Sequence, residues 1–262
     1  MHSPHSLSDQ SFFPRSARYD RDWVVRNSIG ENVLYNLESL TEVLRIQPGM
    51  RVLDLACGKA VSSIFMAREF DVQVWAVDSA VPATDNYRRI CENACENKVF
   101  PLQVDARRLP FPKGFFDLVV IIDSYTYFGT DDKYLPYLCK FLKPDGQIGL
   151  VDVCFRQEIE TFEQVPAFLR PDYQSYWYFV HAIDWWKKLW EKTGLVRVTA
   201  AEELPQADFI RREYIRDYKD ASREPFAKAI ARDTENLITF FRLAGQRTDK
   251  GVKLQEYEKQ GA

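Results

Sequence analysis

The chain has 262 residues, of which 46% are hydrophobic and 28% charged, and its net charge at neutral pH is -3. This length suits one large domain or a domain with a smaller cap, and the composition is that of a globular protein. A surface that neutralises phosphates needs clustered lysine and arginine, so the weakly acidic composition disfavours nucleic acid as a substrate.

The cysteine pattern and the hydropathy pattern further restrict the class of protein to which the chain can belong. The five cysteines are an odd number and include no Cys-x-x-Cys pair, which disfavours a zinc site. No apolar run approaches the roughly 18 residues of a membrane span. Residues 1–16 lack the apolar core of a signal peptide. We therefore expect a cytoplasmic protein with no membrane span and no bound metal.

The N-terminal part is predicted to be helical after a mobile start. Residues 1–29 are interpreted as a mobile N-terminus with a potential lid role, and a short helix is predicted within residues 19–29. A second helix begins at Asn32 or Glu31, because apolar residues then recur at helical spacing up to residue 46. Pro48-Gly49 ends it.

Strands and helices then alternate along the chain. Apolar runs predict a strand within 52–58, which ends in a turn, and further strands at 73–78, 99–104, 116–122 and 147–153. Helices are predicted at 59–70, 83–95 and 132–142, and Pro144-Asp145-Gly146 is predicted to be a turn. The alternation indicates a parallel sheet covered by helices on both faces, with the almost continuously apolar run 116–122 as a central strand.

The pattern changes after residue 155. Residues 156–192 are interpreted as an aromatic substrate cap that ends in a helix over 183–192. Residues 193–247 contain two more predicted strands, at 195–200 and 237–244, around a charged helical stretch over about 207–235. Residues 248–262 form a polar tail, and residues 30–155 form the predicted ligand-binding core.

The run Val-Leu-Asp-Leu-Ala-Cys-Gly at 52–58 carries the strongest functional signal. It is a buried strand followed by a turn of small residues, so a ligand can approach the backbone near Ala56 and Gly58. The helix that follows offers unpaired N–H groups. The run is neither a dinucleotide Gly-x-Gly-x-x-Gly motif nor a phosphate loop.

Aspartates follow the predicted strands in a regular way. Asp78 ends the second strand, Asp105 follows the third, and Asp123 follows the fourth. Ligands of open α/β sheets bind beyond the carboxyl ends of the strands, and an acid about 20 residues after a small-residue turn is placed to bind ribose hydroxyls. These acids therefore predict one shared ligand site.

The series VLDLACG, WAVD, VDARRLPF, FFDLVVIIDSYTYF and LKPDGQIGLVDV resembles class I S-adenosylmethionine-dependent methyltransferases. The likeness covers about residues 30–155, continues more loosely to about residue 247, and is strongest to the small-molecule branch that includes the ubiquinone/menaquinone methyltransferases. It implies an α/β fold with a doubly wound, mostly parallel seven-stranded Rossmann-like sheet, whose last strand inserts antiparallel between strands five and six. A helical, aromatic cap would complete it.

The resemblance also implies S-adenosyl-L-methionine as the cofactor. Asp54 and the turn would hold its methionine end, Asp78 its ribose, and Asp105 its adenine amino group, while Asp123 would line the methyl-transfer face. The full set of expected cofactor-binding residues is Asp54, Ala56, Cys57, Gly58, Asp78, Ser79, Asp105, Ala106, Asp123 and Ser124.

The turn departs from the usual D/E-x-G-x-G-x-G pattern of that family at two positions. Ala56 and Ala60 stand where the first and third glycines are expected. Alanine disfavours positive φ angles, so we expect a turn without left-handed residues at these two positions.

Catalytic and substrate-binding candidates come from the segments that flank the core. A methyl sulfonium is already activated, so alignment matters more than a general base. His181 and Tyr127 are the catalytic candidates, with a helix-start or packing role as the alternative for His181. Aromatic side chains suit an apolar or planar acceptor, although they can equally pack the cap onto the sheet. The substrate-pocket candidates are Tyr19, Trp23, Tyr35, Tyr125, Tyr176, Trp177 and Trp185.

The leading hypothesis is methyl transfer to an O, N or C centre of a small molecule. Two alternatives stay open: sulfonium-dependent alkylation of a lipid, as in cyclopropanation, and a non-catalytic S-adenosylmethionine-binding module that regulates a partner. No basic amphipathic helix supports the lipid reading, and a nicotinamide oxidoreductase is disfavoured because the third dinucleotide glycine has no counterpart. We expect a monomer or a homodimer.

Overall fold

The computed structural model describes residues 12–30, 32–171, 173–217 and 224–248, apart from the side chains of residues 175, 176, 224 and 225. Most of the predicted polar tail, the first 11 residues and the side chain of Tyr176 therefore lie outside the described residues. Among the helices that are described, none combines the length and the apolar character needed to cross a membrane.

The described part of the chain forms one seven-stranded sheet, in the order β3-β2-β1-β4-β5-β7-β6. Strands β1 to β5 are mutually parallel, whereas β7 is antiparallel to both β5 and β6. This arrangement confirms the predicted Rossmann-like methyltransferase fold, including the inserted last strand. The strands are β1 (Arg51–Leu55), β2 (Gln73–Asp78), β3 (Val99–Gln103), β4 (Phe116–Ile122), β5 (Leu142–Phe155), β6 (Val196–Glu203) and β7 (Ile238–Arg247).

Helices cover both faces of the sheet. Leu37 of α2 and Phe65 of α3 lie in the core on one face, while Leu138 of α5 and Trp190 of α6 lie in the core on the other. Each face buries apolar side chains, as the alternation of strands and helices predicts. The helices are α1 (Arg21–Asn27), α2 (Val33–Thr41), α3 (Val61–Phe70), α4 (Ala83–Glu92), α5 (Tyr134–Cys139), α6 (Ile183–Lys192), α7 (Ala207–Asp217) and α8 (Glu224–Arg232).

Two element boundaries differ from the sequence-based expectations. Helix α2 begins after Asn32, whose side chain accepts from the backbone N–H groups of Leu34 and Tyr35, and it ends at Thr41 rather than near residue 46. Strand β5 begins at Leu142, so the predicted Pro144-Asp145-Gly146 turn lies within the strand. There it produces a register shift against β4, with Asp145 at a φ of 60°.

Residues 12–29, which we predicted to be mobile, are anchored to the core in this structure. Phe13 is buried and stacks on Tyr35 at a ring-centroid distance of 4.6 Å. Glu38 of α2 accepts from the backbone N–H of Arg15 at 3.0 Å and from the backbone N–H and hydroxyl of Ser16 at 2.7 and 2.6 Å. A buried carboxylate with three donors fixes this segment across one face of the sheet.

Candidate cofactor and substrate site

The site lies at the carboxyl ends of β1, β2 and β4. Leu55 pairs with Val77 of β2 and with Ile121 of β4, so the residues that follow these strands meet at one edge of the sheet. A cavity of about 290 Å³ opens there. A second cavity of about 90 Å³ adjoins it and shares Ala56, Asp78 and Ser79 with it.

All ten residues predicted to bind the cofactor line one or both of these cavities. Asp105 and Ala106 line the smaller cavity, and Asp54, Cys57 and Gly58 line the larger one together with the pair after β4. The structure thus brings the predicted residues together at one site, while their contacts with a ligand stay a prediction.

The prediction about the turn after β1 is wrong. Ala56, Gly58 and Ala60 have φ angles of 59°, 55° and 60°, so both alanines are left-handed. The backbone N–H of Cys57 donates to Val77 and that of Ala60 donates to Cys57, each at 3.0 Å. These hydrogen bonds hold the tight turn. Among residues with a side chain, alanine has the smallest, so little has to be accommodated in the left-handed conformation. Ala56 and Ala60 therefore adopt the left-handed conformation that glycine would adopt at these positions.

Asp78 is oriented by backbone N–H groups. Its Oδ2 accepts from Gly58 at 2.9 Å, and its Oδ1 accepts from Ala80 at 2.8 Å and from Val81 at 2.9 Å. The carboxylate is fixed across the turn and keeps lone pairs for further donors. It can therefore accept hydrogen bonds from the hydroxyl groups of a bound ligand.

Asp54 is buried beneath the turn, only 1% exposed. Its Oδ2 accepts from the hydroxyls of Ser62 at 2.6 Å and Ser63 at 2.5 Å, both in the first turn of α3. Burial raises the pKa of Asp54 from 3.8 to about 6, against the opposing effect of the two serine donors, and the nearby charge of Asp78 adds to the rise. Burial therefore favours the protonated form of this carboxyl group more than water does.

Two further residues support the turn. The Cys57 thiol is buried, and its burial raises its pKa well above the ordinary value, which leaves it protonated and unreactive. Asn86 of α4 is buried and donates from Nδ2 to the backbone oxygen of Gly58 at 2.9 Å. Asn86 was not predicted, because an asparagine within a helical segment carries no local signal of this contact.

The wall opposite the turn comes from the N-terminal segment. A Cβ atom at Gly30, which has a φ of 103°, would lie 1.6 Å from Oδ2 of Asp123, so only glycine permits this approach. A Cβ at Gly58 would lie 3.1 Å from Cδ1 of Ile29, and Nζ of Lys59 donates to the backbone oxygen of Arg26 at 2.8 Å. Asn27, Ser28 and Ile29 line the cavity, so this segment forms part of its wall, a role that the sequence assigned only generally to a lid.

Three of the aromatic pocket candidates lie in the hydrophobic core instead of on the cavity wall. Tyr35, Tyr125 and Trp177 are at most 2% exposed. Tyr125 packs against Trp186 at a ring-centroid distance of 5.5 Å, and Trp177 packs against Phe226 at 4.6 Å. Packing between the sheet and its helices, the alternative raised for these residues, accounts for their positions.

Of the other pocket candidates, Tyr19, Trp23 and Trp185 are not among the residues that line the cavity, whereas the catalytic candidate Tyr127 is. Tyr19 and Trp23 line a separate surface groove, where the Tyr19 hydroxyl donates to Glu69 at 3.1 Å. Trp185 stacks on His181 at 3.7 Å. Tyr127 does line the cavity; it is 59% exposed, and its ring lies 5.2 Å from that of Phe179.

His181 is held at the start of α6. Its Nδ1 lies 2.7 Å from Oε1 of Glu158, and Oε2 of Glu158 accepts from the backbone N–H of Ala182, also at 2.7 Å. His181 is not among the residues that line either cavity. This geometry favours the helix-start role over general base catalysis. Within the described ranges, no group of three or more His, Cys, Asp or Glu side chains could hold a metal ion.

The comparisons with known proteins agree with this architecture. Residues 52–146 match the family model described as a methyltransferase domain. Phosphoethanolamine N-methyltransferase of Triticum aestivum is 21% identical over 216 residues, which cover 82% of this chain and 41% of the relative. The ubiquinone/menaquinone biosynthesis C-methyltransferase UbiE of Bordetella avium is 27% identical over 66% of this chain and 63% of its own length. The chain thus spans less than half the length of the first curated relative.

Solved structures share the fold. The [4+2]-cyclase SpnF matches with a TM-score of 0.68 and 14% identity, over 89% of this chain and 95% of that one. Phosphoethanolamine N-methyltransferase 2 of Haemonchus contortus, solved with S-adenosyl-L-methionine, matches with a TM-score of 0.66 and 20% identity, over 92% of this chain and 60% of that one. The matched segment and the methyltransferase relatives thus identify a methyltransferase domain at residues 52–146, and the strand order agrees with the Rossmann-like methyltransferase fold.

Proposed function

We propose that the protein binds S-adenosyl-L-methionine and transfers its methyl group to an O, N or C centre of a small molecule. The observation that carries this proposal is the convergence of all ten expected cofactor residues on two adjoining cavities. Acids at the ends of neighbouring parallel strands, facing a turn with no bulky side chain, suit an adenosyl group with a cationic methionine end.

The residues present fit the cofactor. Asp78, already oriented by three N–H groups, would accept from the ribose hydroxyls. Asp105 and Ala106 in the smaller cavity would hold the adenine. Asp54 and the left-handed turn would face the methionine end, where a carboxylate complements an ammonium group.

The chain's contribution to the reaction is alignment and exclusion of water. The bound cofactor supplies an activated methyl group. Ile29 lies against Gly58 and Gly30 lies against Asp123, where they would help to exclude water from a bound substrate. Tyr127 and Asp123 line the same wall and can orient an acceptor. A base is needed only where the acceptor must lose a proton.

The names of the relatives do not identify the methyl acceptor of this protein. One relative is named for phosphoethanolamine and another for ubiquinone and menaquinone biosynthesis. Both names agree with a small-molecule acceptor, and the menaquinone-type relatives agree with the branch suggested by the sequence. Lipid alkylation and a non-catalytic regulatory module remain as outcomes of the tests.

Isothermal titration calorimetry with S-adenosyl-L-methionine and S-adenosylhomocysteine tests the binding step. We expect both to bind, and we expect Asp78→Ala to weaken binding about tenfold or more, because it removes charge-assisted hydrogen bonds of about 1.5–3 kcal/mol. Asp85→Ala is the matched control, since Asp85 pairs with Arg88 on the surface of α4.

Three outcomes would count against parts of this proposal. No binding of either compound by the wild type would refute it, and an unchanged affinity in Asp78→Ala would refute the ribose assignment. Binding without methyl transfer to any member of a broad acceptor panel would favour the regulatory module.

A further inference from the structure

Asn36 and Ser124 line the larger cavity, and each has a buried polar atom with no hydrogen-bond partner. Asn36 of α2 is 1% exposed, and its Oδ1 has no partner. Ser124, directly after Asp123, is 8% exposed, and its Oγ has no partner either. Both side chains line the cavity. Buried polar atoms are nearly always paired, so two unpaired ones on the wall of a cavity call for an explanation.

A neighbour on the same helix offers a comparison. Ser39 lies three residues after Asn36, is equally buried, and has an unpaired Oγ. Ser39 is not among the residues that line the cavity. Asn36 therefore combines two properties that Ser39 does not share: an unpaired polar atom, and a position where a ligand can reach it. An amide side chain can accept a hydrogen bond through its oxygen and donate through its nitrogen.

The charges around Asn36 restrict what can bind beside it. Asp54, Asp78 and Asp123 line the cavity, and Lys59 is the one lysine or arginine among the described residues of its wall. The Lys59 ammonium already donates to the backbone oxygen of Arg26. A phosphate group here would be buried beside carboxylates without an arginine to neutralise it, which is unfavourable. A neutral hydrogen-bond donor meets no such penalty.

We propose that Asn36, assisted by Ser124, binds the methyl acceptor by hydrogen-bonding a hydroxyl or amine group, and that this acceptor carries no phosphate. This inference rests on the proposed function, because it places the acceptor beside Asp123 at the predicted methyl-transfer face. It adds a substrate-binding residue from the helix before the first strand, outside the segments in which the motifs lie.

The test uses the full chain, saturated with S-adenosylhomocysteine, and two matched probes, phenol and phenyl phosphate. Saturation-transfer-difference NMR reports probe binding, and calorimetry reports the affinity for S-adenosylhomocysteine. We expect phenol to bind and phenyl phosphate not to bind. Asn36→Leu should weaken phenol binding at least tenfold and leave the affinity for S-adenosylhomocysteine within about threefold.

Two further variants and one measurement of thermal stability complete the test. Ser39→Ala, the matched control, should leave phenol binding unchanged. Ser124→Ala is a second test variant and should weaken phenol binding. Without ligand, Asn36→Leu should melt at the same temperature as the wild type or higher, because it replaces an amide whose buried oxygen has no partner by an apolar side chain of similar size.

The outcomes separate this inference from the function on which it rests. No binding of S-adenosylhomocysteine by the wild type, read before any probe is added, refutes the proposed function and this inference with it. With that binding intact, the inference is overturned if phenol does not bind or phenyl phosphate binds at least as well. It is also overturned if Asn36→Leu leaves phenol binding unchanged, weakens the affinity for S-adenosylhomocysteine tenfold, or lowers the melting temperature of the free protein.

Discussion

Ala56 and Ala60 show how a hydrogen-bonded turn can impose a conformation that a residue disfavours. Each has a φ near 60°, at a cost of about 1–2 kcal/mol per non-glycine residue. The sequence analysis took alanine to exclude this conformation. The family's glycine spacing was the better guide, because the positions of the glycines, rather than their identity, reflect the path of the backbone.

Ala60→Gly should relieve this strain. Glycine removes the left-handed penalty but loses up to about 1 kcal/mol through the greater freedom of the unfolded chain. We therefore expect a free energy of unfolding equal to that of the wild type or higher by up to about 1 kcal/mol, measured by urea denaturation. Ala67→Gly, inside α3, is the control and should lose about 1 kcal/mol. Equal losses in the two variants would contradict the strain argument.

Asp54 should make the stability of the free protein depend on pH. Burial raises its pKa from 3.8 to about 6, so the folded state holds the proton more tightly than the unfolded state. Its contribution to stability is therefore greatest at low pH and falls as the pH rises from about 4 to about 6, by about 3 kcal/mol in total.

Asp54→Asn isolates this effect, because its side-chain oxygen can still accept from Ser62 and Ser63. Urea denaturation of both proteins at about pH 4.5 and about pH 7.5 should show the variant gaining stability relative to the wild type at the higher pH. A difference between the two proteins that does not change with pH would refute the raised pKa.

At the scale of elements, the N-terminal segment depends on one buried carboxylate. Glu38 accepts from the backbone of Arg15 and from both donors of Ser16. Glu38→Ala should cost about 2–4 kcal/mol, because it leaves buried donors without partners. Chemical denaturation gives this loss, and limited proteolysis should show faster cleavage within residues 12–30.

The exposed Glu96 supplies the control for this prediction. Glu96→Ala should change the free energy of unfolding by less than about 0.5 kcal/mol. Unchanged cleavage within residues 12–30 of the Glu38→Ala protein would show that other contacts are sufficient to hold the segment.

Element positions could be predicted well where apolar runs are bounded by turn residues. The predicted strand 73–78 and helix 183–192 coincide with β2 and α6. The segment between β5 and α6 could not be predicted, because its short helical turns, such as Phe162–Gln164, have no periodicity long enough to recognise. Helix ends were less certain as well, since α2 stops at Thr41 although apolar residues continue at helical spacing.

At the scale of the whole molecule, the position of β7 in the sheet was predicted from the family resemblance alone. Periodicity reports which residues form a strand but not which strands pair, since pairing depends on contacts far apart in sequence. In the structure β7 lies between β5 and β6, and Gly245 faces Val196 of β6 so closely that a Cβ would lie 2.4 Å from Val196 Cγ1.

Gly245→Ala should therefore destabilise the protein by about 1–3 kcal/mol through overpacking. Val196→Ala makes room, so the double variant should be more stable than the sum of the two single losses predicts. A double-mutant cycle by urea denaturation measures this coupling. Additive losses would mean that the two residues do not compete for the same space.

The candidate site also contains residues that the sequence predicts and residues that it does not. The acids and small residues were found because each follows a strand in a recognisable local motif. Asn36 and Asn86 were missed, because distant elements bring Asn36 to the cavity and Asn86 to the turn beside it. Several aromatic candidates lie in the core or away from the cavity, since buried packing and a substrate wall require the same residue types.

The path of the N-terminal segment has a consequence for synthesis on the ribosome. Arg21 bonds to Asp217, 196 positions later in the chain, at 2.6 Å. The residues that line the larger cavity emerge early in translation, but the contact between Arg21 and Asp217 forms only after α7 has left the exit tunnel. A nascent chain stalled before residue 207 would therefore lack this contact, and its N-terminal segment would rely on the contacts of Glu38 and Phe13 with their early neighbours.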